Sequence, residues 1–297
     1  MKIIDEKINE LISELDYNVI CDMFACVNSG KKLRSKLVLK IAGENEKSVV
    51  LCAVIELIHL ASLLHDDVID EANLRRNNPS INALFGAKSA IMLGDILYSK
   101  GFFELVKFGE NIAGIVSDAV SKLSIGELMD VKMSENFNDC EESYLKMVYY
   151  KTAVLIQAAS HSAAILAAFS DEKCQNYAQY GKNLGIAFQI IDDILDITSD
   201  EKTLGKPAMA DFKEGKTTLP YILLFKNQNE SEKNTLKTLF KKELNKDEKI
   251  WLKEQFSKYK AIENSIKIAK DYAKKALNSV DNVELQSVVN DMINREF

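Results

Sequence analysis

Residues 51–70 read LCAVIELIHLASLLHDDVID. Leu57, Leu60, Ala61, Leu64 and Val68 recur at i, i+3, i+4, i+7 and i+11, the repeat of an α-helix. Apolar side chains also cover nearly the whole circumference until the acidic end. A helix that is apolar all round needs neighbours all round, so this stretch predicts a central, buried helix. The same periodicity continues outward: 88–108, 112–133, 141–169 and 174–198 read as further long helices. The 297 residues contain 3 prolines and 12 glycines, too few turn formers for a sandwich, barrel or propeller of many short strands. The expectation is an all-α fold with one domain over 1–297.

Two stretches interrupt the rhythm. Residues 71–80 (EANLRRNNPS) are polar and end in an Asn-Asn-Pro turn signal. Residues 199–220 hold two of the prolines and two glycines without a clean period, the pattern of a lid or binding loop. The polar run 226–249 lacks Pro and Gly and carries Leu236, Leu239, Phe240 and Leu244 at helical spacing, so it predicts peripheral helices and not a linker.

The net charge of -6 provides no basic field for DNA or RNA. Five cysteines, an odd number without a CxxC pair, and three histidines offer little material for zinc and read as reduced thiols. The start, MKIIDEKINELISEL, has acids through its first turns and no continuous apolar core of a leader, and no segment reaches about 18 uninterrupted apolar residues. The expectation is a soluble cytoplasmic chain with no transmembrane segment.

The chemistry concentrates in Asp66-Asp67-Val68-Ile69-Asp70 and Asp192-Asp193-Ile194-Leu195-Asp196, two copies of DDxxD, each closing an apolar helical run. Asp66 and Asp70 share a helix face, as do Asp192 and Asp196. Clustered carboxylates at a helix C-terminus oppose the macrodipole and repel one another, so a cation is expected there. Oxygen donors without His or Cys suit a hard ion. Mg2+ takes one or two carboxylates and fills its remaining positions with water and substrate phosphates, which points to a diphosphate substrate. A single DDxxD could be a solvated acidic turn; two, each followed by an irregular segment with cations, make coincidence a poor explanation. Those cations are Arg75 and Arg76 after the first motif, Lys202, Lys206, Lys213 and Lys216 after the second, and Lys31, Lys32 and Arg34 near the N-terminus. Arg offers a fork and Lys a point charge to phosphate oxygens. His59, about two turns before Asp66, projects on nearly the same side. His65 either orients a carboxylate or ends the apolar run, and His161, Trp251 and the Phe102-Phe103 pair read as structural core.

In this order the motifs resemble the trans-isoprenyl diphosphate synthases of the polyprenyl synthetase family. They run from His59 through Asp70, then Leu74-Arg75-Arg76, Gly94-Asp95, Lys151-Thr152, Phe188-Gln189 through Asp196, and Gly215-Lys216 through Pro220. The likeness covers about 30–220 and implies the helical isoprenoid synthase fold with a central hydrophobic cavity, usually as a homodimer. It implies that Asp66, Asp70 and Asp192 hold Mg2+ and that Asp67, Asp193 and Asp196 support them. Arg75, Lys151, Lys206 and Lys216 complete the pocket for an allylic prenyl diphosphate. Lys31, Arg34, His59 and Arg76 bind isopentenyl diphosphate, while Thr152 and Gln189 face the allylic cation. Charge neutralisation lets the allylic C–O bond ionise in a site closed to water; the alkene of isopentenyl diphosphate attacks the cation and a proton is lost. The chain departs from the family pattern at two sites. The usual GGKRxRP is Ser29-Gly30-Lys31-Lys32-Leu33-Arg34-Ser35 here, and the Gly common after KPx is Met209.

Product length is read from the residues just before the first motif. A prenyl tail running beside this helix advances about one turn per isoprene unit, so Ile58, Ala61 and Ser62 would form its floor. The fifth and fourth positions before Asp66, Ala61 and Ser62, are small, where short-chain members of the family tend to place a bulky aromatic. The reading is a long product of the octaprenyl type. The alternatives are a short-chain farnesyl or geranylgeranyl synthase floored by the helix with Phe102 and Phe103, a terpene cyclase, or a non-catalytic regulatory subunit. The second DDxxD with its isopentenyl-binding cations argues against a cyclase, and two intact motifs argue against a regulatory subunit.

Overall fold

The computed structural model describes residues 1–27, 30–76, 78–198 and 209–293. They are helical almost throughout and fall into two compact units: Met1–Ser124 with Val154–Gly181, and Ile125–Ala153 with Lys182–Phe297.

In the first unit α1 (Lys2–Ser13), α2 (Asn18–Ala25) and α3 (Leu33–Ala42) precede α4 (Glu46–Ile69). α4 begins in a capping box in which Asn45 Oδ1 accepts from the Ser48 amide and Ser48 Oγ accepts from the Asn45 amide, satisfying donors that the helix start would otherwise orphan. Leu51, Val54, Ile55, Leu57 and Ile58 are all completely buried, and α1, α3, α5 (Ile81–Phe85), α6 (Ala87–Leu105) and α9 (Val154–Leu166) pack on α4. Each large aliphatic side chain so buried contributes about 1.5–3 kcal/mol. α4 is long and apolar enough to span a membrane, but 72% of its most apolar 18-residue window is buried in the protein. Two glycines seven residues apart bring α6 close to α4: a Cβ at Gly94 would overlap the His65 ring, and one at Gly101 would lie 3.3 Å from Ile58 Cγ1. Between α4 and α5 the chain makes a two-residue antiparallel pair, β1 (Leu74–Arg75) with β2 (Asn78–Pro79).

The second unit takes the end of α7 (Gly109–Met133), then α8 (Glu141–Val148), a π-turn over Tyr149–Ala153, and the later turns of α10 (Asp171–Thr198). After these come α11 (Ala210–Lys213), α12 (Leu219–Asn227), α13 (Glu230–Leu239), α14 (Lys246–Tyr259), α15 (Ala261–Ser279) and α16 (Val283–Ile293). α13 and α14 each start in an Asn/Glu capping box. On α15 the buried stripe Ala261, Ser265, Ala269, Ala273 and Ala276 keeps side chains small where α12 packs.

Three expectations need correction. Phe103 is not core: it is 63% exposed on α6, under the ammonium groups of Lys100 and Lys107, because Gly101 and Leu105 take the buried face. Residues 209–220 are ordered by packing: Phe212 is fully buried and stacks on Tyr221 at 4.1 Å between ring centroids. Phe240 and Leu244 lie past the end of α13, outside its helical repeat. The rest of the anticipated loop, 199–208, with Lys202 and Lys206, lies outside the described residues, as does Ser29.

Candidate active site

In the first unit, α4 opens one seam near its end. His59, Ser62, Leu63 and Asp66 are half-buried and Asp70 is exposed, while Ile58 and Ala61 are fully buried. The spacing of 3, 4 and 7 places the seam along one helix face. Ser62 is the only one of the three predicted floor residues on it, and its hydroxyl donates back to the His59 carbonyl at 2.8 Å. Asp67 turns the other way and is buried. Arg75 Nε donates to both its oxygens at 2.7 and 2.8 Å, and Nη2 lies 2.7 Å from Oδ1. Such a forked, charge-assisted pair fixes geometry as well as energy; Asp67 therefore anchors the hairpin carrying Arg75 and Arg76. His65 turns to α6, with Nε2 3.3 Å from Asp95 Oδ1 and from the Ile91 carbonyl, and its ring against Tyr98. It pins the end of α4 to α6 and orients none of the aspartates of its own motif.

Three arginines of this unit bear on His59. Burial first, then the charges of Arg34, Arg76 and Arg75, hold the His59 imidazole well below its usual range. Burial lowers the Arg34 guanidinium to about 10, with Glu56 opposing, and lowers Arg76 as well, with Arg75 adding to the shift. The Arg76 guanidinium lies against Gly30: a Cβ there would sit 2.6 Å from Nη2. Lys31 is exposed, whereas Lys32, left-handed at φ 50°, is ion-paired with Asp5.

Glu56 escaped the sequence reasoning. It is buried on α4 and accepts a 2.6 Å hydrogen bond from the Ser35 hydroxyl. The family's proline position thus carries, in this chain, a donor to the counter-charge of Arg34. The signal was visible: Glu56 is the one acid inside the apolar run and stands three residues before His59.

In the second unit the π-turn presents Lys151 and Thr152. Lys151 Nζ lies 2.5 Å from Asp130 Oδ2 and 2.8 Å from Glu127 Oε2, both on α7. The Thr152 hydroxyl donates to Gln189 Oε1 at 2.7 Å, and Gln189 Nε2 donates to Asp193 Oδ1 at 2.8 Å. Of the second motif, Asp192 is half-buried and Asp193 and Asp196 are buried. Burial, with Asp211 nearby, pushes the Asp193 carboxyl well above the usual range against the pull of its hydrogen-bond donors. Asp196 Oδ2 accepts from the Asp211 amide at 3.3 Å. Lys216 is 2.8 Å from Glu214, next to Gly215, whose φ of 92° requires glycine. Met209, in the place of the family's glycine, takes the left-handed φ of 64° and is buried. Glu127, Asp130 and Tyr144 also went unforeseen, since an acid or a tyrosine on a long helix has no distinguishing local pattern.

In the first unit open carboxylates end α4 and a histidine lies among arginines; in the second Asp192 is half-buried on α10 and a Lys-Thr turn is bonded to Gln189. The Polyprenyl synthetase family pattern matches residues 19–257. The chain belongs to the polyprenyl synthetase family. This polyprenyl synthetase is 33% identical over 293 residues to a short chain isoprenyl diphosphate synthase of Methanothermobacter thermautotrophicus, covering 94% of this chain and 89% of that one. It superposes with TM-score 0.93 on the octaprenyl pyrophosphate synthase of Helicobacter pylori, 46% identical over 99% of this chain and 98% of that one. A polyprenyl synthase from Caulobacter crescentus, complexed with calcium and isoprenyl diphosphate, is 28% identical with TM-score 0.89 over 100% and 96%. The fold is the all-α isoprenoid synthase fold, and the protein is a trans-prenyl diphosphate synthase, a prenyltransferase.

Proposed function

We propose that this synthase elongates an allylic diphosphate with isopentenyl diphosphate to a long, all-trans polyprenyl diphosphate. One observation carries the chain length: the open seam of α4 runs from Asp66 and Asp70 back through Leu63 and Ser62 to His59 and carries no Phe, Tyr or Trp. The full-length likeness to an octaprenyl pyrophosphate synthase supports it. The short-chain alternative relied on a floor from Phe102 and Phe103, and the exposure of Phe103 weakens that floor.

Asp66, Asp70 and Asp192 are the motif carboxylates open to solvent or half-buried, and an all-oxygen donor set of this kind fits Mg2+. The calcium in the Caulobacter crescentus complex shows that a relative takes a divalent ion. Once bound, the ion neutralises charge on the departing diphosphate. Lys151, Lys206, Lys216 and Arg75 bind the same group. Lys31, Arg34, Arg76 and a neutral His59 bind isopentenyl diphosphate, with Glu56 holding Arg34 in place. The Thr152 hydroxyl oxygen and the Gln189 amide lie beside the ionising carbon. No nucleophile of the protein is required, because the alkene of isopentenyl diphosphate forms the new C–C bond. A second copy of the chain is expected on α6, where Ile91, Met92 and Phe103 expose apolar surface.

The test is product analysis. Purified protein with Mg2+, isopentenyl diphosphate and farnesyl diphosphate should yield polyprenyl diphosphates of about eight units by mass, and Ser62→Tyr should shorten them by several. Ala61→Tyr, aimed at a fully buried site, should shorten product less and cost stability, about 1–3 kcal/mol. An unchanged length distribution in Ser62→Tyr would remove this seam as the floor.

A further inference from the structure

Tyr144 is fully buried on α8, and its hydroxyl donates to Asp193 Oδ2 at 2.5 Å. The bonds already described continue the path: Gln189 Nε2 to Asp193 Oδ1, and the Thr152 hydroxyl to Gln189 Oε1. The Gln189 amide stands with Nε2 on Asp193 and Oε1 on Thr152, so its carbonyl is turned to Thr152. The hydroxyl then commits its single proton to that carbonyl and keeps its lone pairs for whatever stands opposite. A reversed amide would consume a lone pair and turn the proton outward.

The π-turn makes this line-up possible. Tyr144 and Thr152 are eight residues apart, and eight residues of α-helix end about 80° from their start, whereas seven end within about 20°. A π-turn accommodates one extra residue, so both side chains reach α10, on which Gln189 and Asp193, four apart, share a face. Neighbouring backbones hold the turn on two sides. A Cβ at Gly126 of α7 would overlap the Lys151 amide, and one at Gly185 of α10 would lie 2.5 Å from Ala153 Cα.

We infer that Tyr144 is a positioning residue which, through Asp193 and Gln189, sets the direction of the Thr152 hydroxyl proton and so the polarity of the surface facing the allylic group. This rests on the reading that Thr152 and Gln189 lie beside the ionising carbon. The experiment is a double-mutant cycle of Tyr144→Phe and Thr152→Val, assayed with Mg2+, isopentenyl diphosphate and farnesyl diphosphate. Tyr144→Phe should lower kcat about tenfold and leave both KM values within about twofold. In the Thr152→Val background the same change should alter kcat less than about twofold, since the path then ends on nothing. Additive losses, or a wild-type kcat in Tyr144→Phe, would overturn the inference. A wild-type kcat in Thr152→Val would instead bring down the underlying reading, and this inference with it. Tyr144→Phe keeps the ring, so at the assay temperature its far-UV circular dichroism should match wild type; a kcat loss that comes with a lost spectrum would overturn the inference.

Discussion

The two DDxxD segments share their letters and their place at the end of a long helix, yet their side chains meet different surroundings. In the first, Asp66 is half-buried and Asp70 exposed, and Asp67 is buried beneath Arg75. In the second, only Asp192 has access to solvent; Asp193 is buried against Tyr144 and Gln189, and Asp196 receives the Asp211 amide. A buried carboxylate is tolerated where donors replace its water. The pentapeptide therefore divides into members open toward solvent and members buried as a wall behind them, and the neighbouring elements decide which is which. The first motif opens two carboxylates and the second opens one.

The division can be broken most directly at the open positions. Asp66→Asn and Asp192→Asn should each lower kcat by about 10²–10³, the cost of removing one preorganised charge partner of a reacting group, with melting temperature within about 2 °C of wild type. Steady-state kinetics beside calorimetry reads both, and an equal kcat loss in Asp67→Asn would erase the distinction. A smaller effect is expected on stability. Asp67→Asn keeps the shape but weakens the fork to Arg75 and should cost about 1–2 kcal/mol in urea unfolding, whereas Asp70→Asn should stay within about 0.5 kcal/mol. Smallest at neutral pH is the effect at His59, which measures the cationic setting of the first motif. Its folded-state pKa lies below the unfolded value of 6.5, so the unfolded chain binds the extra proton. The stability tied to the neutral ring is complete above pH 6.5 and falls by up to about 1.4 kcal/mol per pH unit below it. His59→Gln should flatten that acid limb, and an unchanged pH dependence would place His59 outside the arginine cluster.

Much of the fold was legible because its determinants are local. The repeat at Leu57, Leu60, Ala61 and Leu64 is a property of consecutive residues, and α4, α6, α7 and α10 appear where their periodicity placed them. The motifs were legible for a similar reason: carboxylates four apart on a helix share a face whatever surrounds it. Less legible were residues whose meaning comes from partners far along the chain. Phe103 looked like core until Gly101 and Leu105 took the inner face of α6, and the residues at 209–220 looked loose until Phe212 stacked on Tyr221. Glu56 was the exception, a lone acid in an apolar run that could have been noticed.

The amino-acid sequence by itself determined the helices, the oxygen-rich character of both motifs and the family, since each depends on spacing along one strand of chain. Only tertiary structure decided that Asp67 faces Arg75 while Asp66 does not, that Ser62 and not Ala61 lies on the open seam, and that a π-turn turns Thr152 toward Gln189. Burial and hydrogen-bond partners are set by which surfaces pack together, and residues 21 to 49 positions apart, such as Lys151 with Asp130 or Tyr144 with Asp193, meet through packing that no local pattern records.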